Sequence, residues 1–323
     1  MFAGNSVTKG TSSGSFALHP VAPFRLDLTA WALRRRPNNG VDCWDGNSYR
    51  RAMETTDGAV DVDVRQVGPC DAPELLVRMT GPSADADSAK DQVAEMLGTS
   101  FGLSADLSDF HRQAESDSLL GPLARRFRGL HPPRFQSWIE ALANAVSCQQ
   151  LSLTVGIGLL NRLADGYGKA SEKGLRSFPT AEALAGAGAA DLRTLGYSVR
   201  KAQVLIALAG KLMDGSLNLD DLVAADDATV VAHLTALDGI GRWSAEYVLL
   251  RGFGRTDVFP GDDVGARNKL QRWLSRPEPL DYRGVNQITE RWSPFAGLVY
   301  FHLLLDSITT SGWLPTLEAG APS

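Results

Sequence analysis

Apolar and polar positions alternate along three short stretches near the start of the chain, and this alternation is typical of strands with one buried face. The alternating apolar positions are Phe24, Leu26 and Leu28, then Val60, Val62 and Val64, then Leu75, Val77 and Met79. They predict a small antiparallel sheet that packs through one face. A helix over Ala89 to Leu97, with Val93 and Met96 at helical spacing, is predicted to cover that face.

Beyond about Ser118 the apolar period changes to three or four residues, which is the spacing of an amphipathic helix. This period recurs around residues 138–146, 153–163 and 205–212, with Gly or Pro between the segments. The sequence therefore predicts an α+β protein in which a small N-terminal antiparallel sheet domain precedes an all-helical region. The predicted divisions are a flexible polar tail at 1–15, the sheet and helix domain at 16–118, the helical region at 119–315 and a tail at 316–323.

Composition narrows the class of protein. The 323 residues are 44% apolar and 21% charged, and no apolar run approaches the roughly 18 residues that a membrane-spanning helix needs. The first fifteen residues lack the basic and apolar segments of a secretory signal, so we expect a cytoplasmic protein, associated with the nucleoid if the source is bacterial. Cys43, Cys70 and Cys148 are odd in number and lack CxxC or CxxH spacing, which argues against a disulfide scaffold, a zinc ribbon and an iron–sulfur cluster.

The formal net charge of −5 argues at first against a nucleic-acid partner, because binding of phosphates needs a positive surface. The charge is unevenly distributed along the chain. Residues 83–118 hold eight acidic and two basic residues, whereas residues 121–213 hold twelve basic and five acidic residues. A basic face on an acidic protein is therefore compatible with this sequence.

The most specific motif runs from Leu237 to Tyr247 and reads LDGIGRWSAEY. Two glycines flank one aliphatic residue between segments of helical period, which predicts a helix-hairpin-helix at about 228–250. The backbone amides beside Gly239 and Gly241, at the start of the second helix, can bind a phosphate without reading base sequence. An ordinary helical hairpin with a glycine cap has the same local pattern.

Two adjacent acids follow the hairpin about twenty residues later, in the string VFPGDDV from Val258 to Val264. Pro260-Gly261 turns the chain, Asp262 is placed to cap a helix, and Asp263 is then expected in the first helical turn. Taken alone, such a pair is most simply a helix cap. Its distance from the glycine hairpin weakens this interpretation.

Together these motifs resemble the helix-hairpin-helix, Gly-Pro-rich loop and catalytic aspartate of a superfamily of DNA glycosylases, and within it the bacterial 3-methyladenine DNA glycosylase II (AlkA) type. Three further segments are similar to the family's Gln-containing turn, its Leu-Gly segment before a basic helix and its C-terminal stretch: residues 147–152, 191–202 and 291–295. Phe295, where the alkylation enzymes more often have Trp, and the order Pro260-Gly261 depart from the family pattern. The resemblance covers most of the helical region, and the N-terminal part matches the family's sheet domain in pattern.

The resemblance also implies roles for individual residues. It makes Asp263 the catalytic carboxylate and assigns Gln150 to the gap that an extruded base leaves in the duplex. It places four aromatic residues around that base: Trp243, Tyr247, Phe295 and, from the N-terminal domain, Trp31. It assigns DNA binding also to the hairpin residues Gly239, Gly241, Arg242 and Ser244. In an unrelated protein these aromatic residues would be core, and Gln149-Gln150 would be a solvated helix end.

The implied activity is hydrolysis of the N-glycosidic bond of an alkylated purine in double-stranded DNA, by a monomer without a membrane partner and without a cofactor for catalysis. The resemblance adds a monovalent cation, Na⁺ or K⁺, held by the backbone carbonyls of Thr235, Leu237 and Ile240. Two alternatives stay open. One is an 8-oxoguanine DNA glycosylase/lyase of the same fold, which needs a lysine nucleophile where this sequence has Trp243. The other is a non-catalytic helix-hairpin-helix protein that only binds DNA.

Overall fold

The computed structural model describes residues 11–314, and its N-terminal part contains a sheet of five antiparallel strands. They are β1 (Thr11–Leu18), β2 (Cys43–Trp44), β3 (Tyr49–Thr55), β4 (Gly58–Gln66) and β5 (Leu75–Pro82). The strand order is β1-β5-β4-β3-β2. The strands predicted around Val62 and Val77 are confirmed as β4 and β5, in which Val62 lies opposite Met79.

Helices make up most of the remaining described residues, which confirms the α+β class. In chain order they are α1 (Leu26–Arg34), α2 (Asp87–Phe101), α3 (Ser108–Ser116), α4 (Leu120–Arg126), α5 (Trp138–Cys148), α6 (Leu153–Tyr167), α7 (Ala181–Ala185), α8 (Ala189–Thr194), α9 (Val199–Met213), α10 (Asp227–Thr235), α11 (Arg242–Val248), α12 (Val264–Trp273), α13 (Tyr282–Thr289) and α14 (Ala296–Thr310). Short 3₁₀ turns lie at Asp220–Leu222 and Glu290–Trp292, and a π-helical turn at Leu249–Phe253 continues α11. Within residues 11–314, none of the helices is long and apolar enough to cross a membrane.

Strand β1 corrects the prediction of a flexible tail at residues 1–15. Residues 1–10 lie outside the described residues, as does the tail predicted at 316–323, but Thr11 to Ser15 pair with β5. Their polar side chains alternate between exposed and half-buried along this edge strand, so the stretch lacks the apolar alternation that predicts a strand. Gly14 is needed there, because a Cβ at this position would lie 2.0 Å from the Ala84 carbonyl oxygen.

Helix α1 corrects the prediction of a strand at Phe24 to Leu28. The apolar residues in this segment do not share one face, because α1 is buried almost all round: Leu26 packs in a core with the sheet, and Leu28 packs in a second core with α14. Three alternating apolar residues cannot distinguish a strand from the start of such a helix. By contrast, the helix predicted over Ala89 to Leu97 is confirmed as α2, which packs against β1 and β3.

A buried ion cluster joins the sheet to the helical region. Arg51 of β3 donates through Nη2 to Glu140 Oε2 on α5 at 2.6 Å and through Nη1 to Asp42 Oδ1 at 2.8 Å. Tyr49 Oη also donates to Asp42 Oδ1, at 2.8 Å. The Arg51 and Glu140 side chains are each only 2% exposed. The two parts of the protein are therefore held together by charges that would be costly to leave unpaired.

We expect Glu140→Ala to lower the free energy of unfolding by about 3 to 5 kcal/mol, because it leaves the Arg51 guanidinium buried with an incomplete set of acceptors. Urea unfolding at neutral pH measures this loss. The matched control is Asp109→Ala, which breaks an exposed pair with Arg112 on α3 and should change stability by less than about 1 kcal/mol. Similar losses in both variants would contradict the role given to the buried cluster.

Candidate active site

The hairpin predicted at about 228–250 is formed by α10 and α11, with the turn at residues 236–241. Gly239 in this turn has φ of +80°, and a Cβ there would lie 2.5 Å from the Val204 side chain on α9. Gly241 is different, since no atom lies within 4 Å of its Cβ position. No side chain caps the start of α11, so its first amides are left for an external acceptor such as a phosphate.

Asp263, rather than Asp262, is the N-cap of the helix that follows. Its Oδ1 accepts a hydrogen bond from Ala266 N at 2.8 Å, and α12 begins at Val264. The prediction that Asp262 caps this helix is wrong because the turn that starts at Pro260 closes on Asp263, whose N donates to the Pro260 carbonyl. Asp263 is half-buried, and Tyr300 Oη donates to its second oxygen at 3.5 Å.

A cleft of about 1200 Å³ brings most of the predicted residues together. The predicted residues found in its lining are Asp263, Trp243, Tyr247, Gln150, Thr235, Leu237, Gly239, Ile240, Gly241 and Ser244. These residues come from the turn after α5, from the hairpin and from the start of α12. Motifs that are separated along the chain thus meet in one concave site.

The aromatic wall of the cleft is a stacked pair on α11. The rings of Trp243 and Tyr247 have centroids 5.3 Å apart and planes 20° from parallel. Trp243 is half-buried, whereas Tyr247 is 3% exposed and its hydroxyl accepts from Arg35 Nη1 at 2.7 Å. Burial raises the pKa of Tyr247, and burial together with Asp263 raises the pKa of Tyr300 well above its usual value. Both hydroxyl groups are therefore neutral near pH 7.

Three predicted residues do not line this cleft. Trp31 is buried in the core with α14, under the Arg34 guanidinium. Phe295 packs its ring against Phe110, with centroids 5.8 Å apart. Arg242 is exposed at the start of α11, where its guanidinium covers the Tyr282 ring and lies 4.0 Å from Asp262. Trp31 hence lies in the core, and the half-buried Phe295 packs against that core; neither lines the cleft with the stacked pair.

Sequence reasoning missed two residues that the cleft contains, Tyr300 and Arg35. Tyr300 lies in the apolar helix α14, where nothing in the local pattern distinguishes it from core. Arg35 belongs to the run Arg34-Arg35-Arg36, which precedes Pro37. This cluster of positive charge is a signal by which the sequence could have indicated a site residue. Arg35 and Arg36 both line the cleft, so the N-terminal domain contributes directly to it.

Basic side chains outnumber the acidic ones in the lining, where the acidic residues are Asp238, Asp262 and Asp263. Arg36, Arg200, Lys201 and Lys269 accompany Arg35 there. Burial lowers the pKa of Lys201 and of Lys269. Lys201 Nζ donates to the carbonyl oxygens of Gln149 at 2.8 Å and Ser147 at 3.2 Å, and Lys269 Nζ donates to the Gly265 carbonyl at 3.3 Å. The cleft is basic although the whole chain is acidic, which suits a polyanionic partner.

The hairpin has backbone carbonyls that could bind the monovalent cation implied by the family resemblance. The Leu237 carbonyl accepts from Ile240 N at 3.1 Å and retains one lone pair. Among the hydrogen bonds of residues 11–314, none is made to the carbonyls of Thr235 or Ile240. Carbonyl oxygens without donors at the end of α10 fit a cation that prefers oxygen ligands.

Comparison with known proteins identifies relatives of the chain. Residues 143–294 match the model of the HhH-GPD superfamily base excision DNA repair proteins. The DNA-3-methyladenine glycosylase of Bacillus subtilis is 28% identical over 74% of this chain and 80% of its own length, and DNA-3-methyladenine glycosylase 2 of Escherichia coli is 29% identical over 61% and 66%. The solved 3-methyladenine DNA glycosylase from Archaeoglobus fulgidus is 28% identical and superposes with a TM-score of 0.76, covering 90% of this chain and 97% of that protein. These findings confirm the resemblance drawn from the motifs.

The two hairpin glycines make a matched pair for testing the turn. Gly239→Ala should lower the free energy of unfolding by at least about 1–2 kcal/mol, because alanine disfavours positive φ and its Cβ would collide with Val204. Gly241→Ala should leave stability unchanged. Urea unfolding measures both.

Both substitutions should weaken binding of damaged and intact duplexes alike, since backbone contacts to phosphate carry no sequence information. Fluorescence anisotropy with the two duplexes measures the dissociation constants. A loss confined to damaged DNA would show instead that these glycines shape the base pocket.

Proposed function

We propose that this chain, which is similar to the HhH-GPD superfamily of base excision DNA repair proteins, hydrolyses the N-glycosidic bond of alkylated purines of the 3-methyladenine type without cutting the strand. The observation that carries this proposal is the position of Asp263, which lies in one cleft with the stacked rings of Trp243 and Tyr247. The names of the three relatives support the same class of lesion.

Asp263 supplies the charge that the reaction needs. Breaking an N-glycosidic bond builds positive charge on the sugar, and a nearby carboxylate stabilises that charge and orients the attacking water. The bond from Ala266 N holds Oδ1 and thereby fixes the carboxylate. Oδ2 is contacted by Tyr300 only at 3.5 Å, so this oxygen is the one available to the sugar and the water.

The stacked aromatic pair suits a cationic leaving group. An N-alkylated purine already carries a positive charge, so it leaves without protonation by a general acid. The face of Trp243 attracts such a base through its π-electrons, and Tyr247 supports the indole from behind. One carboxylate and an aromatic wall are then sufficient for the chemistry.

The substrate base must leave the duplex before Asp263 can act. Extrusion costs a few kcal/mol of unstacking and unpairing, which has to be offset by contacts elsewhere on the DNA. Amides at the start of α11 would bind the backbone phosphate, and Gln150, exposed at the cleft rim, would fill the vacated space. A monovalent cation at Thr235, Leu237 and Ile240 would add positive charge beside that phosphate. No further cofactor enters the proposed reaction.

The lysine positions favour hydrolysis over a lyase reaction. A lyase attacks the sugar with a lysine amine to form a Schiff base, but the hairpin position for that lysine holds Trp243, whose indole nitrogen has no free lone pair. Lys201 donates to two backbone carbonyls. Lys269, beside Asp263 in the cleft, likewise donates to the Gly265 carbonyl, and neither lysine stands at the hairpin position that the alternative of an 8-oxoguanine glycosylase/lyase requires.

Asp263→Asn should reduce single-turnover excision of 3-methyladenine or 7-methylguanine by at least about 100-fold, because the amide cannot compensate the charge on the sugar. The dissociation constant for the same duplex should change by only a few-fold, since asparagine also caps helices well. The matched control is Asp262→Asn, which should excise normally. Equal loss in both variants would contradict the assignment, and binding without any excision by the wild type would favour a non-catalytic protein.

The strand should remain intact after the base leaves. Borohydride added during turnover should trap no covalent protein–DNA adduct, and the strand should break only after alkali, because no amine attacks the sugar. Gel electrophoresis with and without alkali measures both. An adduct that forms in the wild type and disappears in Lys269→Ala, Lys201→Ala or Lys211→Ala would overturn the hydrolytic proposal in favour of the lyase.

A further inference from the structure

We propose that Gln149 is a positioning residue that couples the hairpin turn to the neighbouring turn carrying Gln150, so that the two DNA contacts act as one unit. We call residues 149–151, between α5 and α6, the wedge turn. The inference rests on the proposed function in taking Gln150 as the side chain that enters the DNA. Gln150 itself is exposed and has φ of +56°, a conformation that non-glycine residues seldom adopt.

The Gln149 side chain reaches across to the hairpin. Its Nε2 donates to the Gly239 carbonyl oxygen at 2.8 Å and to Ser244 Oγ at 2.8 Å. Because a carbonyl can only accept, the amide nitrogen and not the amide oxygen must face Gly239. Ser244 is 1% exposed, so its hydroxyl serves this bond rather than the DNA directly. One side chain thus links the wedge turn both to the hairpin turn and to the first turn of α11.

Helix α9 holds both turns from the other side. Lys201 Nζ donates to the Gln149 carbonyl at 2.8 Å and to the Ser147 carbonyl at 3.2 Å, which are acceptors left at the end of α5. One helical turn further along, Val204 packs against Gly239 so closely that a Cβ there would lie 2.5 Å from it. The wedge turn and the hairpin turn are therefore fixed on the same face of α9.

This arrangement has a specific consequence for base extrusion. Positive φ at Gln150 is unfavourable by about 1–2 kcal/mol, so a wedge turn without support would leave this conformation easily. The bonds of Gln149 and Lys201 hold the wedge turn in this conformation before DNA binds. Binding therefore does not cost the conformational entropy of ordering this turn. Gln149 should therefore matter for DNA with a vacated position and not for intact duplex, where only the phosphate contacts are made.

A double-mutant cycle tests the coupling. The variants of the full chain are Gln149→Met, which keeps the side-chain length but removes the donor, Gln150→Ala and the double variant; the control is Gln92→Met, on the surface of α2. Fluorescence anisotropy gives the dissociation constants for a duplex with a tetrahydrofuran abasic analogue and for the intact duplex. The quantity compared is the preference for the abasic analogue, which is the dissociation constant of the intact duplex divided by that of the abasic duplex.

Each single variant should lower this preference about tenfold, and the double variant should lower it no further, because residues that act through one another have non-additive effects. Binding of intact duplex should stay within about threefold of wild type in all of them. If Gln149→Met does not fold, as judged by its thermal unfolding, Gln149→Asn replaces it in the cycle, because this side chain keeps the amide but is one methylene too short to make both 2.8 Å bonds.

Losses that multiply in the double variant would overturn the coupling, as would an equal loss of affinity for intact duplex. A wild type without preference for the abasic analogue would also overturn it, since Gln150 would then fill no gap. The readout does not involve bond cleavage. Absence of excision by a wild type that retains the preference would therefore count against the proposed function and not against the coupling.

Discussion

The structure depends on the burial of one short helix between two hydrophobic cores. Eight of the nine residues of α1 are buried. Leu26, Ala30 and Leu33 pack in the core that includes the sheet, while Leu28 and Trp31 pack in the core that includes α14. Because both cores share this helix, the sheet domain cannot separate from the helical region without exposing apolar surface of both. The end of α1 is thereby fixed beside the cleft.

The position of the end of α1 places Arg35 in the lining of the cleft. This residue follows α1 with φ of +61°, and its guanidinium donates to Tyr247 Oη at 2.7 Å and to Asn144 Oδ1 at 2.6 Å. A guanidinium has no acceptor atom, so the Tyr247 hydroxyl is held as an acceptor and the ring under Trp243 is fixed from the N-terminal domain. A residue in a sparsely populated backbone conformation that is held by buried bonds is typical of functional sites. The N-terminal domain therefore helps to shape the cleft and to fix its aromatic wall.

The sequence predicted the motifs of the site better than their detailed arrangement. The hairpin and the aspartate could be found because tight turns and helix starts have strong local residue preferences. Strand β1 was missed because an edge strand need not be apolar, and α1 was mistaken for a strand because a helix buried all round has no amphipathic period. Phe295 and Trp31 were placed by resemblance alone; in the structure Trp31 lies in the core with α14, and the half-buried Phe295 packs against that core. Tyr300 gave no local signal, since its contact with Asp263 joins residues 37 apart.

In the proposed reaction, Asp263 has both a structural and a chemical role, and both require the same side chain. An N-cap must be short enough for its oxygen to reach the amide three residues ahead, a geometry that aspartate satisfies. This bond uses Oδ1 and fixes the torsion of the side chain, which leaves Oδ2 pointing in one direction within the cleft. The carboxylate is thus oriented by the start of α12 before any substrate binds, so the proposed reaction would need little reorganisation when charge develops on the sugar.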